Sequence, residues 1–355
     1  MPEESDRPAG DVRFGAFLST GRFGSMTEAE VYDQTLAMAD GAVAAGFDAI
    51  WTNEHHFNPY VVCPNAMTLA GHLAGRTGLP VGTAVTLLPH HNPIRVAEEA
   101  AMLDHLTAGG FTLGIGRGGP SIDYEVFAGG LAHYERGIDE AIELVRASWA
   151  GEVSSDTDLY RIQPVDPIPK PRSVGGPPLM IATISEDAVE RAARFGAAML
   201  MFSDQSADTI ATMIDRHAER VEAVGRPRGP YEHAMAVVVQ VADSDEEAAD
   251  LIREPMQVFQ LAASRGFTTI DGVERPRRHD EDSVAAGTER LLATNPIGSP
   301  DTVVERLTAL IETSGCRSLL LLVEYTPERD QRLANIARLG SEVLPRVRAA
   351  VADAG

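Results

Sequence analysis

Cysteine and lysine are almost absent from this chain of 355 residues. Cys63 and Cys316 lie far apart in the sequence and form no pair with metal-ligand spacing, so we expect neither a disulfide framework nor a structural zinc site. Lys170 is the only lysine, and it lies in a proline-rich segment at 164–171. A lysine that forms a Schiff base needs a desolvated pocket to lower its pKa. The sequence therefore argues against Schiff-base chemistry.

Long apolar runs and basic patches are also missing. No run of about 18 apolar residues is present, as a membrane-spanning helix would need. The polar residues 1–11 lack the apolar segment of a signal peptide and are expected to be flexible. The net charge of −22 would repel phosphate, so nucleic acid is not an expected partner. We expect a cytoplasmic protein that binds neither membranes nor nucleic acid.

Short apolar strands alternate with helical segments along the whole chain. Arg13–Leu18 is the first predicted strand, and the capping box from Thr27 to Glu30 opens the first helix. About eight strands follow this rhythm without a linker, which is typical of parallel strands joined by helices. We expect an α/β fold with a single (β/α)8 TIM barrel over residues 1–355. A doubly wound open sheet is the alternative.

Two segments depart from this rhythm. Residues 152–163 alternate apolar and polar side chains, as in a surface hairpin. Residues 264–286 are polar and too long for an ordinary loop. We expect residues 264–286, inserted before the last strand, to be either a mobile active-site lid or disordered.

The sequence Glu-His-His-Phe at 54–57 directly follows the second predicted strand. Reactive side chains of (β/α)8 barrels lie at the carboxyl ends of strands, where a histidine can act as general acid or base. The alternative is structural, with one histidine capping the strand and the other bonded to a backbone carbonyl. A metal site is not expected, because the adjacent pairs His55 with His56 and His90 with His91 point to opposite sides.

A glycine-rich segment at 114–119 follows the fourth predicted strand. It is not a dinucleotide fingerprint, because no helix begins within it and Pro120 follows. Its backbone can still approach a ligand closely, and Arg117 offers a planar donor suited to phosphate. The alternative is a tight turn with a solvent-exposed arginine.

Two further segments could contact a ligand. Ser185 begins a helix immediately after a strand, which makes an anion site available at the helix N-terminus. Small residues at 82–85 leave room for a flat ring. Both features are equally compatible with simple barrel packing.

These segments together resemble the bacterial luciferase-like flavin-dependent monooxygenase family, and most closely the catalytic subunit of bacterial luciferase. The resemblance extends from residue 13 to the last helix. Its strongest blocks are EHHF at 54–57, LP at 88–89 with PIR at 93–95, LD at 103–104, GIGRG at 114–118 with Asp123 and Phe127, and NPIGSP at 295–300.

The resemblance implies a barrel that binds reduced FMN and molecular oxygen and oxygenates an organic small molecule through a flavin C4a-hydroperoxide. A separate flavin reductase would supply the reduced FMN in a two-component system. Members of this family usually pair through helices near the second and third strands, so a homodimer is expected.

The resemblance also assigns site residues. His55 matches the catalytic histidine, Arg117 the arginine on the FMN phosphate, and Ala84 with Val85 a non-proline cis peptide beneath the flavin ring. The implied cofactor-binding residues are Ala84, Val85, Gly116, Arg117, Gly118, Ala182, Ile184 and Ser185. The implied substrate-contacting or supporting residues are Glu54, His56, Asp123 and Ser203.

Several positions differ from luciferase. Gly116 replaces a reactive cysteine, Ile184 replaces a glutamate near the phosphate, and Ser203 replaces a tryptophan of the pocket. The lid is also shorter. These changes are compatible with flavin binding but argue against light emission and a long-chain aldehyde substrate. An F420-dependent oxidoreductase and a non-catalytic flavin-binding partner subunit remain the alternatives.

Overall fold

The computed structural model describes residues 11–202, 205–227, 229, 231–266, 269–271 and 280–354. Its strands are β1 (Arg13–Leu18), β2 (Ala49–Thr52), β3 (Val81–Thr83), β4 (Thr86–Leu87), β5 (Phe111–Gly116), β6 (Val153–Asp156), β7 (Arg161–Val165), β8 (Leu179–Ala182), β9 (Ala198–Phe202), β10 (Ala234–Val238), β11 (Gln240–Val241), β12 (Ile297–Gly298) and β13 (Ser318–Leu322).

A closed parallel barrel forms the centre of the molecule. The strand order is β3-β2-β1-β13-β10-β9-β8-β5-β4, and β3 also pairs with β5, which closes the sheet. β3 and β4 are two consecutive pieces of the same barrel strand, and both pair with β5. The nine strands of the sheet therefore form a barrel with eight strand positions. The expectation of a (β/α)8 barrel is confirmed, and the open-sheet alternative is wrong.

Helices surround this barrel. They are α1 (Glu28–Ala44), α2 (Ala66–Thr77), α3 (Pro93–Leu106), α4 (Asp123–Phe127), α5 (Leu131–Ala150), α6 (Glu186–Phe195), α7 (Ala207–Ala223), α8 (Asp245–Gly266), α9 (Glu281–Thr294), α10 (Pro300–Ser314), α11 (Arg329–Arg338) and α12 (Leu344–Ala354). The capping box at Thr27 is present, as predicted. Among the described residues, no helix has the length and apolarity needed to cross a membrane.

The core has an outer and an inner part. The larger cluster lies between strands and helices, and a smaller one fills the barrel around Trp51. A Cβ atom on Gly15 would lie 2.5 Å from Trp51 Cδ1, and one on Gly82 would lie 2.4 Å from Trp51 Cζ3. The two glycines therefore provide the space that the indole ring occupies inside the barrel.

The third barrel strand is interrupted between Thr83 and Thr86. β3 ends at Thr83 and β4 begins at Thr86, and the Ala84–Val85 peptide bond between them is cis, as the resemblance implied. The Ala84 N–H donates to the carbonyl of Thr52 at 2.6 Å. The interruption therefore faces β2 at the end of the barrel that carries the candidate site.

The described parts of the two irregular segments lie outside the barrel. β6 and β7 form the predicted antiparallel hairpin. The proposed lid segment, 264–286, begins in the last turn of α8 and ends within α9, while its residues 267–268 and 272–279 lie outside the described residues. Ile270 N–H donates to the carbonyl of Pro120 at 3.1 Å, so residues 269–271 contact the loop after β5. The insertion thus precedes the last barrel strand, as expected.

Candidate active site

His55 lies in the loop directly after β2, at the carboxyl end of the barrel. Its backbone N–H donates to the carbonyl of Cys63 at 2.8 Å, which holds the loop in place. The residue is solvent-exposed, although the protein around it desolvates its imidazole. Burial lowers the pKa of the imidazole, and the charges of Asp123 and Glu54 partly oppose that shift. The structure therefore places a solvent-reachable imidazole where barrel enzymes carry reactive groups.

Asp123 is the first residue of α4 and is buried, with 5% of its surface exposed. Its position after β5 brings its charge close enough to raise the pKa of His55. A carboxylate beside an imidazole favours the protonated ring and can orient it. The implied supporting role of Asp123 is compatible with this geometry.

Glu54 joins the loops that follow β2 and β4. Its Oε1 atom accepts hydrogen bonds from His91 Nε2 at 2.6 Å and from His56 Nε2 at 3.2 Å. Burial alone would raise the pKa of this carboxyl, but the two imidazole hydrogen bonds lower it to about 2. Glu54 is therefore a buried anion in contact with the imidazole of His56.

Gly116, Val85 and Ala182 converge at the ends of three neighbouring strand positions. A Cβ atom on Gly116 would lie 2.6 Å from Val85 Cγ2 and 3.4 Å from the Cβ of Ala182. The absence of a side chain at Gly116 leaves a flat surface beside the cis peptide of Ala84 and Val85. The structure thus brings four of the implied cofactor-binding residues together.

Arg117 follows Gly116 and is exposed. Its guanidinium lies 4.3 Å from the ring centroid of Tyr134, and no carboxylate among the described residues pairs with it. Gly118 has a φ of +73°, a left-handed conformation that favours glycine. The turn therefore holds a guanidinium against an aromatic ring and leaves its donors available for an anion.

Ser185 is the N-cap of α6, on the neighbouring barrel position. Its side chain makes no capping hydrogen bond, so its hydroxyl and the first N–H groups of the helix remain available. Ile184 is 70% exposed beside it. Because β5 pairs with β8 in parallel register, Arg117 and Ser185 follow adjacent strands at the same end of the barrel. Ser203 lies outside the described residues.

A largely apolar cavity of about 730 Å³ opens beside the loop that carries His55. Tyr60 from this loop, Phe23 from the loop after β1, and Val258 and Phe259 from α8 contribute to its wall. Arg22 and Glu254 add charge at the same cavity. Such a cavity could enclose a mainly apolar organic molecule.

Glu324 is a candidate that the sequence analysis missed. It lies two residues after β13, is 1% exposed, and its Oε1 accepts a hydrogen bond from the Ser19 N–H at 2.9 Å. Its Oε2 has no partner among the described residues. Burial raises the pKa of this carboxyl to about 7, although the nearby Arg332 opposes the shift. A charged residue directly after a run of leucines was the available sequence signal.

The residues at this end of the barrel fit reduced FMN. The surface of Gly116, Ala182 and the cis peptide accepts a flat ring, because a Cβ on Gly116 would fill it. Arg117 and the N-terminus of α6 offer unpaired donors for a phosphate. His55 follows β2, which pairs with β3. These features are compatible with a flavin at the mouth of the barrel.

Comparison with known proteins identifies the family. Residues 12–318 match the family model of the luciferase-like monooxygenases, so the chain belongs to this family. The chain is 26% identical over 350 residues to the oxygenase component of the flavin-dependent trigonelline monooxygenase of Acinetobacter baylyi, covering 94% of this chain and 95% of the relative. It is 24% identical over 349 residues to the alkanal monooxygenase alpha chain of Photorhabdus luminescens, covering 94% and 96%.

A solved structure supports the fold assignment. The oxygenating constituent of 3,6-diketocamphane monooxygenase from Pseudomonas putida, in complex with FMN, superposes with a TM-score of 0.77 at 20% identity, covering 95% of this chain and 98% of that one. At this identity the likeness shows the fold alone. The expected family is therefore confirmed by the family match and the expected fold by the structure.

Proposed function

We propose that this protein is the oxygenase component of a two-component system, which uses FMNH2 and molecular oxygen to oxygenate an organic small molecule. The observation that carries the proposal is the convergence of Gly116, Val85 and Ala182 beside the donors of Arg117 and Ser185. Reduced FMN, when bound there, supplies the oxygen-activating chemistry. The protein supplies binding, orientation and a dry environment.

The phosphate would be held by two structural elements. Arg117 is supported by the ring of Tyr134, and cation and ring together restrict the guanidinium to one side of the turn. The N-terminus of α6 adds N–H donors, and the hydroxyl of Ser185 is not used for capping. The acidic Glu186 in the first turn is neutralised by its ion pair with Arg216. A dianionic phosphate is therefore a better match to this position than a neutral group.

His55 is the proposed catalytic residue. Its loop is fixed by the hydrogen bond to Cys63 and by the buried carboxylate of Glu54 next to it in the chain. The imidazole can therefore donate or accept a hydrogen bond at the reacting centre without a large rearrangement. His56 and Glu54 act as supporting residues in this proposal.

Water exclusion would come from the insertion between β10 and β13. Asp271 N–H donates to Glu125 Oε1 at 2.8 Å, and Thr269 forms an isolated bridge with Ser121. These contacts hold the described part of the insertion against the loop that follows Arg117. A lid at this position would shield the flavin from solvent, which favours oxygen transfer to the substrate.

The cofactor is tested by anaerobic titration. The protein is titrated with FMNH2 and, separately, with reduced F420, and the flavin signal is followed at equilibrium. We expect saturable one-to-one binding of FMNH2 and clearly weaker binding of reduced F420. A clear preference for reduced F420 would instead support the F420-dependent oxidoreductase.

The non-catalytic alternative and the partners need separate measurements. A flavin-binding partner subunit would bind FMNH2 but would leave its reaction with oxygen unchanged. A flavin reductase acts in the proposal only as a transient supplier. We propose a homodimer, which light scattering at micromolar concentration tests, and a cytoplasmic location.

A further inference from the structure

We propose that Glu54, His56 and His90 bind one divalent transition-metal ion, with Zn²⁺ the best match to the ligand set. This site goes beyond the proposed flavin chemistry, because none of its three side chains is among the proposed flavin-binding residues. It joins the loop after β2 to the 3-10 turn Leu88–His90 that follows β4.

The geometry of the three side chains supports this site. One ligand atom from each of Glu54, His56 and His90 lies within 4.8 Å of the other two. Ligands of a tetrahedral zinc ion at about 2.0–2.1 Å are separated from one another by roughly 3.3 Å. The side chains therefore need to move inward by only about 1.5 Å, which small torsional adjustments can provide.

Unpaired buried atoms point to a missing ligand. Neither Nδ1 nor Nε2 of His90 has a hydrogen-bond partner among the described residues, although His90 is only 6% exposed. Glu54 is 2% exposed, and its Oε2 likewise has no partner there. A buried donor or acceptor without a partner costs about 1–3 kcal/mol. One metal ion would satisfy His90 and Glu54 at the same time.

The surroundings resemble the outer shell of a metal site. His91 Nε2 donates to Glu54 Oε1 at 2.6 Å, which would orient the carboxylate and leave Oε2 for the ion. The ring centroid of Tyr124 lies 4.3 Å from that of His90, and that of Phe127 lies 4.8 Å from that of His56. Aromatic walls of this kind limit access of water. Two neutral imidazoles and one carboxylate leave a vacant position for a fourth ligand.

The ion would have a structural role. It would link the loop that carries His55 to the turn after the interrupted third strand, and so fix the position of His55. Binding to the folded protein alone would raise thermal stability, and the gain would increase with the logarithm of the free metal concentration above the dissociation constant. The site takes one histidine from each of the two adjacent pairs, so the opposite directions of neighbouring side chains do not prevent it.

Cobalt provides the direct test, because Co²⁺ replaces Zn²⁺ and tetrahedral coordination gives intense visible absorption. The full-length protein is stripped with a chelator and titrated with CoCl2, then with ZnCl2 as a competitor. We expect one equivalent of tetrahedral Co²⁺, its displacement by Zn²⁺, and a rise in melting temperature with either metal. Absence of a stoichiometric tetrahedral site in the wild-type protein would overturn the proposal.

Three variants locate the site. His90→Ala and His56→Ala should each weaken Co²⁺ binding at least ten-fold, whereas His72→Ala on the exposed face of α2 should bind as the wild type does. His90→Cys keeps a ligand and should add a thiolate-to-cobalt band, which confirms direct coordination. If His72→Ala lowers the affinity as much as His90→Ala, or if both ligand variants that fold as judged by circular dichroism retain wild-type affinity, the proposed site is wrong.

Discussion

His91 Nε2 donates a 2.6 Å hydrogen bond to Oε1 of Glu54, and this contact joins two loops at the mouth of the barrel. The carboxylate has no exposed side-chain surface, while His91 is 19% exposed at its side chain. A buried carboxylate depends on such donors, because burial without them would strongly penalise its charge. The position of the loop that carries His55 therefore depends on a residue 36 positions away from His55 in the chain.

His91→Ala should lower the free energy of unfolding by about 1–3 kcal/mol, since it leaves the Glu54 carboxylate with one donor fewer. His91→Gln should recover part of the loss, because its amide can donate. The matched control is Arg95→Ala, which removes an exposed ion pair with Glu99 and should cost less than about 1 kcal/mol. Urea denaturation gives the free energy of unfolding of all three variants. A His91→Ala protein as stable as the wild type would contradict the assigned role of the hydrogen bond between His91 and Glu54.

Arg117→Ala should weaken FMN binding at least ten-fold, because it removes a charged donor from the proposed phosphate site. Riboflavin lacks the phosphate, so its affinity should change by less than about two-fold. Arg136→Ala, which breaks an exposed pair with Asp158, is the control for a general loss of positive charge. Fluorescence titration with both flavins gives the comparison. An equal loss for FMN and riboflavin would place the phosphate elsewhere.

Gly116→Ala should also weaken flavin binding at least ten-fold, because the new Cβ would lie 2.6 Å from Val85 Cγ2 and project into the proposed ring surface. Val85 is β-branched and cannot easily turn away. Gly75→Ala in α2 is the matched control, since its Cβ meets no atom within 4 Å and alanine favours helices. Flavin affinity and melting temperature are measured for both. Unchanged affinity in Gly116→Ala would argue against the ring position.

The wild-type protein should lose stability as the pH rises from 5 to 8, and Glu324→Gln should lose less. Burial raises the folded-state pKa of Glu324 from 4.5 to about 7. The neutral carboxyl therefore makes its full contribution to the free energy of unfolding below pH 4.5, and this contribution is lost as the pH rises through 7. Arg332 and the N–H groups of Ser19 and Gly21 face this carboxyl and limit the shift. The full effect is roughly 3 kcal/mol at most.

Thermal melting at several pH values measures this difference. The melting temperature of the wild type minus that of Glu324→Gln should become more negative as pH rises from 5 to 8. The exposed Glu312→Gln should give a difference that does not change with pH. A difference between wild type and Glu324→Gln that stays constant from pH 5 to pH 8 would contradict the raised pKa, because the folded-state carboxyl would then be ionised throughout this range.

The sequence was sufficient for the architecture. Alternating strands and helices predicted the barrel, and the position of His55 directly after β2 predicted that it lies at the carboxyl end of the strands, where the structure has it. Contacts between loops were not predictable in the same way. His90 and Glu54 are 36 positions apart, and their proximity depends on how β2 packs beside β3. The buried Glu324 was not predictable either, because its neighbours Ser19, Gly21 and Arg332 come from distant parts of the chain.

The reaction of protein-bound FMNH2 with oxygen in a rapid-mixing experiment tests most directly whether the protein is a flavin-dependent monooxygenase. Wild-type protein is saturated with FMNH2 without oxygen, mixed with aerated buffer, and followed by flavin absorbance beside free FMNH2. We expect oxidation kinetics that differ from those of free FMNH2. At equal flavin occupancy, these kinetics should change in His55→Ala. Traces for the wild type that superpose on those of free FMNH2 would contradict a flavin-dependent monooxygenase at this site.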